Sequence, residues 1–468
     1  MAGVSSLWER TLNSTPDSDG TPLVAVAAVD VDVVGSEEPT SAWRAYLAAM
    51  GPGLVTGASD DDPSGIATYA QTGAKFGFSM LWVALLTFPL MAAVQEICDR
   101  TALASGKGLG ELIAVRFNRF WRTVIGVFVV GLCVANALNI AADLVAVGAG
   151  MHLVHAGPTT LWAVIAGALV IVLLVSGSFA LIARVFKVLA VALLAYIAVL
   201  FAVHLDWGAA ATRTFIPHVQ WSRAYIGLLV AVLGTTISPY LFFWQTMHRV
   251  EDMREEPAGG QRALPLRRRR RIDAQRKLHT SRFDVFSGMA FSNIVMFAII
   301  AATAATLFSK GQHDVATADQ AAAALKPIAG RFASELFALG FIGSGMLAVP
   351  VLAGAGSAGL AGMLGKPTGF SNKPTQAPVF YGLVAVGTLG GMALSLAGLD
   401  PIHLLVFVAI VNGVAAAPFL LVTLLIAGNR NIMGTYTNGR LSNFLGWTTF
   451  AIMTAAAIAL FATSASGG

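Results

Sequence analysis

Three carboxylates stand side by side, followed at once by a proline and then a glycine, in Asp60-Asp61-Asp62-Pro63-Ser64-Gly65-Ile66, and the residues on either side are apolar. A charge at the centre of a bilayer costs roughly 2.5–3.5 kcal/mol on insertion scales, so such a cluster needs a partner inside the membrane. Pro63 removes a backbone donor and Gly65 tolerates unusual dihedrals, so a helix can break here and turn free carbonyls toward a cavity. Carboxylate and carbonyl oxygens at a break in mid-membrane are the ligands of a hard cation.

The elements that must position this motif are membrane helices. Of the 468 residues, 56% are hydrophobic and only 12% are charged, about half the charge of an ordinary soluble domain. Apolar stretches recur near 45–74, 77–98, 120–150, 158–177, 182–204, 223–247, 284–308, 332–362, 378–398, 402–427 and 443–464, eleven in all. Several exceed the ~20 residues of a straight crossing, as tilted or interrupted helices do. Residues 1–43 are polar, acidic and rich in Ser, Thr, Asp and Pro, which predicts a disordered cytoplasmic tail. With that tail inside, 24 of the 30 Lys and Arg fall on the cytoplasmic side, so the positive-inside rule supports this orientation. The segment 249–282, with Arg267 through Arg271, is read as a basic cytoplasmic loop that sets topology, and 465–468 as a short external end. A multi-pass protein of the bacterial inner or plasma membrane is expected, with the bilayer as its surroundings and no nucleic-acid partner. Cys98 and Cys133 read as small core residues, neither a disulfide nor a metal pair.

Spans one to five and six to ten divide into two five-helix halves. If these are inverted repeats, span six must be interrupted where span one is. It is: Gly234-Thr235-Thr236-Ile237-Ser238-Pro239-Tyr240 sets glycine, three hydroxyls and proline into an apolar run. A proline kink with Thr and Ser meeting the freed carbonyls explains one such site; two in corresponding spans, one of them acidic, point to a transport site.

Gly51-Pro52-Gly53 followed by Asp62-Pro63-Ser64-Gly65-Ile66-Ala67-Thr68 resembles the first helix of the natural resistance-associated macrophage protein (Nramp) family of divalent-metal transporters. The resemblance extends over residues 45–430 and implies an all-α, LeuT-like fold of five plus five helices with the first and sixth broken. It also implies that the family's metal-binding aspartate is Asp62. The family's asparagine ligand becomes Gly65, its methionine Ser238, and the alanine that offers a carbonyl Thr235. These departures discard soft sulfur and a side-chain ligand. Lost sulfur removes a preference for softer metals, and open volume beside Gly65 would admit water, which suits Mg²⁺ or Mn²⁺. The same losses mark the Nramp-related magnesium transporters, the branch this chain looks like.

Asp60 and Asp61 either line a vestibule with Thr236 and Tyr240, or one of them caps the broken helix. Asn412 in span ten stands near a polar position that joins the family's site. In the proton-coupled members span three carries acidic residues seven before and three after an aspartate. Here those places are Asn136 and Ala146 around Asp143, and the sixth-helix histidine is Tyr240. Metal movement without proton coupling is therefore expected, with Asp143 and Asn136 as the positions where a relay would run. Gln95 and Glu96 are expected at the cytoplasmic interface, His152 and His155 as a solvated pair, and Gly354, Gly356, Gly390 and Gly391 as close-packing positions between helices. No cofactor beyond the transported ion is implied. An amino-acid carrier of the same fold and a cation channel are the competing readings; three aspartates oppose an anionic substrate group, and paired broken helices fit alternating access better than a pore. An enzyme is disfavoured, since the His-Glu-x-x-His zinc motif is absent.

Overall fold

The computed structural model describes residues 52–465 except 177–193, 203–204, 258, 261, 316, 326–329, 331–332 and 398–399. The expected tail at 1–43, most of the fifth span and residues 466–468 lie outside the described residues. Among the described residues the chain is helical and contains no strand.

The first expected span is two helices, α1 (Pro52–Asp60) and α2 (Pro63–Phe76), parted at Asp61 and Asp62. Then follow α3 (Trp82–Ser105), α4 (Leu109–Arg116), α5 (Arg119–Leu153), α6 (Thr159–Ser176), α7 (Leu194–Ala202) and α8 (Trp207–Phe215). The sixth span is parted like the first, into α9 (Arg223–Thr236) and α10 (Pro239–Glu255). The chain ends through α11 (Arg271–Thr306), α12 (Ala333–Met363), α13 (Pro378–Ser395), α14 (Pro401–Ala427) and α15 (Arg440–Ala465). Eight of the expected spans, counting α9 and α10 as one, are long and apolar enough to cross a membrane. The others are the divided first span, the shorter α6 and the partly described fifth.

Sequence chemistry sets the helix ends. Pro63, Pro239, Pro378 and Pro401 occupy first-turn positions, where a missing N–H costs nothing. Asn118, Ser222 and Asp400 each accept a hydrogen bond from a backbone N–H three residues on. The segment 249–282 is not a plain loop: α10 runs on to Glu255 and α11 starts back at Arg271. Ion pairs hold the two extensions together, Lys277 to Asp252 at 2.8 Å and to Glu256 at 2.5 Å, with Arg269 on Glu256 at 2.6 Å.

Each broken helix is seated backbone to backbone on a neighbour. A Cβ on Gly57 of α1 would overlap the Gly288 backbone of α11, and one on Gly234 of α9 would overlap the Ala409 and Gly413 backbone of α14. Of the expected packing glycines, Gly354, Gly356 and Gly391 do face neighbours closely, whereas Gly390 faces open space. Its position on α13 puts it one residue off the buried stripe that includes Gly391.

At the Arg-rich end, Arg249 is buried among carboxylates: Asp99 of α3 at 2.5 Å, Asp252 at 2.9 Å and Asp284 of α11 at 3.1 Å. The Gln245 amide donates to Asp99 at 2.7 Å, and Ser281 also donates to Asp99. This cluster reaches α1 twice, through the Gly53 N–H on Asp284 at 2.8 Å and the Thr56 hydroxyl on Gln245. Removing the cation strands Asp99 and Asp284 in a dry place, at a cost of about 3–5 kcal/mol. Arg249→Leu should therefore melt well below the parent in detergent; melting at the parent's temperature would show that the cluster does not hold these helices together.

Candidate metal site

Asp62 is the residue at which α1 and α2 part. Its backbone is extended, and its side chain caps α2: Oδ1 accepts the Gly65 N–H at 2.8 Å and the Ser64 hydroxyl at 2.6 Å. The other oxygen accepts the Tyr240 hydroxyl at 3.1 Å from the start of α10. The cap anticipated for Asp60 or Asp61 is thus made by Asp62, which is only 2% exposed.

Asp60 and Asp61 aim elsewhere. The Ser292 hydroxyl of α11 donates to Asp60 at 2.6 Å and lies 3.3 Å from Asp61. Each keeps one buried oxygen that has no hydrogen-bond partner among the described residues. The three adjacent carboxylates therefore do not converge, and no group of three or more His, Cys, Asp or Glu side chains among the described residues is arranged to hold a metal.

At the second break the freed carbonyls are met locally. The Ser238 hydroxyl donates to the Gly234 carbonyl at 2.5 Å and the Thr235 carbonyl at 2.9 Å, so the carbonyl expected as a ligand is in contact with Ser238. The Thr236 hydroxyl turns back to Val232 of its own helix at 2.9 Å. Thr235 reaches across instead: its hydroxyl lies 3.1 Å from that of Tyr69 on α2. Tyr240 and Tyr69 together tie one break to the other.

Beside Gly65 the nearest groups are the Asp60 backbone and the ring of Tyr69. A Cβ there would lie 3.3 Å from the Asp60 carbonyl oxygen and 3.4 Å from Cε2 of Tyr69. Side chains on a helix lean toward its N-terminus, so the residue four positions on covers the glycine.

A polar stripe runs along α5. Asn136, Asn139 and Asp143 follow at i, i+3 and i+7 and are all buried. The Asn136 amide donates to the Leu352 carbonyl at 2.9 Å, and the Asn139 amide to Asn412 at 3.3 Å. Neither oxygen of Asp143 has a hydrogen-bond partner among the described residues. Asp143 adjoins the first break through Gly345 of α12, whose Cβ would meet the Asp143 carbonyl at 3.0 Å and the Pro63 ring at 3.4 Å. Buried oxygens and amides of this kind are what ordered water or a cation satisfies. All the polar donors at the two breaks are oxygens, with no cysteine or methionine within 59–66 or 234–240. That is the donor set of a hard dication.

Elsewhere the expectations divide. His152 and His155 are exposed, whereas Gln95 and Glu96 are both buried, because every residue of α3 from Leu90 to Ser105 packs inward; Glu96 pairs there with Arg100 at 3.0 Å and Arg282 at 2.9 Å. Tyr69 and Ser292 escaped sequence reasoning. The only signals were a tyrosine one turn beyond Gly65 and a serine inside an apolar span.

Residues 53–463 match the natural resistance-associated macrophage protein-like family. The divalent metal cation transporter MntH of Pectobacterium carotovorum subsp. carotovorum (strain PC1) is 27% identical over 418 residues, covering 87% of this chain and 92% of that protein. A crystal structure of the Eremococcus coleocola manganese transporter superposes with a TM-score of 0.68 at 18% identity, covering 92% of this chain and 90% of that one. Mhp1, a nucleobase-cation-symport-1 family transporter, superposes with a TM-score of 0.55 at 13% identity, over 88% of this chain and 91% of its own. The fold is the LeuT-like arrangement expected from the paired breaks.

Because Asp62 both caps α2 and carries charge, two substitutions separate its roles. Asp62→Asn keeps an acceptor for the Gly65 N–H and Asp62→Ala does not, a difference of about 1 kcal/mol for a cap. In metal-free detergent the alanine variant should melt below the asparagine variant; equal melting would show that the cap contributes nothing.

Proposed function

Because the chain belongs to the natural resistance-associated macrophage protein-like family, we propose that it moves divalent metal cations across the membrane by alternating access. In this reading Mg²⁺ and Mn²⁺ are favoured over softer transition metals, and no proton is exchanged. The family is one of transporters and the chain is not an enzyme. The observation that carries the reading is the buried Asp62 carboxylate at the first break, facing a second break whose methionine position is Ser238.

Hardness decides the ion class. Carboxylate and hydroxyl oxygens suit Mg²⁺ and Mn²⁺, and a thioether is what would favour the softer metals. The named activities of the Pectobacterium and Eremococcus proteins support a divalent cation. Preference for Mg²⁺ rests on this chain's own departures. Gly65 supplies no ligand and a tyrosine ring stands beside it, so protein donors are few and water completes the coordination sphere. Mg²⁺ dehydrates reluctantly and is usually held in this way.

The absence of proton exchange rests on what replaces titratable groups. Asn136 and Ala146 do not titrate, and Tyr240 is a phenol where the proton-coupled members carry a histidine able to exchange protons near neutral pH. Asp143 is the one carboxylate on that stripe. The membrane potential then supplies the drive, about 4.6 kcal/mol for two charges crossing 100 mV. The positive-inside rule supports an orientation in which the Arg-rich end faces the cytoplasm.

Proteoliposomes with an inward Mg²⁺ or Mn²⁺ gradient should take up the ion without a matching internal pH drop, and faster when the interior is negative. Asp62→Asn should lose uptake by at least about tenfold while remaining folded. Cd²⁺ carried in preference to Mg²⁺ would contradict the hardness argument. A metal-dependent pH change that vanishes in Asp143→Asn would make Asp143 a coupling residue.

A further inference from the structure

We propose that Tyr69 is a specificity-determining residue of the ion site, because its ring stands in the ground that a side-chain ligand at position 65 would need. This deepens the reading that Asp62 holds the transported dication and rests on it.

Tyr69 is fully buried on α2, one turn beyond Gly65. The nearest atoms to a Cβ on Gly65 are the Asp60 carbonyl oxygen at 3.3 Å, Cε2 of Tyr69 at 3.4 Å and its Cζ at 3.5 Å. One methyl group fits between them with slight adjustment. Tyr69 is the nearest side chain to that Cβ, so an amide or carboxylate at 65 is built beside its ring.

The ring is not free to step aside. Its hydroxyl lies 3.1 Å from the Thr235 hydroxyl, which is itself 3.0 Å from the Val232 carbonyl of α9. Swinging Tyr69 away would break a contact between the two interrupted spans and expose a buried hydroxyl without a partner. The ring belongs to the same buried apolar cluster as Ile66 and Ala70.

Ring carbons do not coordinate a dication. On this side of Asp62 the ion must keep water, and the phenol oxygen is the polar atom of the wall. An ion that holds its water tightly loses little at such a wall, while one that gains by shedding water for protein ligands is offered none. Gly65 and Tyr69 therefore act as a pair: a ligand at 65 requires a small residue at 69.

The pair is tested by a double-mutant cycle. Gly65→Asn, Tyr69→Ala, the double variant and the parent are compared in proteoliposomes for Mg²⁺ and Mn²⁺ uptake, with thermal melting of each purified protein. Gly65→Asn alone should lose uptake of both ions by about tenfold, and adding Tyr69→Ala should restore it. The restored variant should favour Mn²⁺ over Mg²⁺ by about tenfold more than the parent, since the amide now displaces water. Parent-like uptake and preference in Gly65→Asn would overturn the proposal, as would a folded double variant no more active than Gly65→Asn. Should the double variant not fold, Tyr69→Ala decides alone. A shift of about threefold or more in its Mg²⁺ to Mn²⁺ ratio of kcat/KM is expected; an unchanged ratio overturns the proposal. Parent-rate transport by Asp62→Asn would instead sink the underlying reading, whatever position 69 does.

Discussion

Both oxygens of Asp62 are engaged, one closing the amino end of α2 and the other receiving the Tyr240 hydroxyl from across the second break. An interrupted helix inside a membrane leaves backbone groups that lipid cannot satisfy, and each bare group costs several kcal/mol. The chain answers with short polar side chains placed at the break itself. Asp62 and Ser64 serve the first interruption, and Ser238 serves the second by meeting two carbonyls of α9. The groups that stabilise the breaks are the same groups that present oxygen to the space between them.

This economy shapes the rest of the molecule. α1 is short and lies against α11 at Gly57 and Gly288, with no side chains between their backbones. Its far end is fastened by Gly53 and Thr56 to the Arg249 cluster, where one guanidinium is shared by Asp99, Asp252 and Asp284. α2 is held at the opposite side of the break by its cap and by the Tyr69 contact to Thr235. α2 also lies on α11, with Gly73 against the Ile300 backbone, so both halves of the first span share that neighbour and meet at Asp61 and Asp62.

Much of this was legible in the sequence. Hydropathy located the spans, and Pro63, Gly65 and Pro239 located both breaks because those residues act through local backbone chemistry. What escaped depends on direction and on contacts distant in sequence. The three adjacent aspartates have different partners: Asp62 caps its own helix and meets Tyr240. Asp60 and Asp61 found Ser292, which lies 231 residues beyond Asp61. The neighbour of Gly65 was not legible, because a glycine reports only its own missing side chain; Tyr69 sits one turn along, where nothing in the composition distinguishes it from ordinary core. The segment 249–282 misled for a related reason: its charges read as loop until the structure pairs Lys277 and Arg269 with Asp252 and Glu256 across two helices.

Asp62 is proposed as the one carboxylate that holds a divalent cation between the two breaks. Electron paramagnetic resonance of Mn²⁺ added to the purified protein tests this without any transport step. The parent protein should quench the free-ion signal, added Mg²⁺ should release it, and Asp62→Asn should leave it unquenched. Mn²⁺ held equally well by Asp62→Asn and still displaced by Mg²⁺ would place the site elsewhere in the molecule.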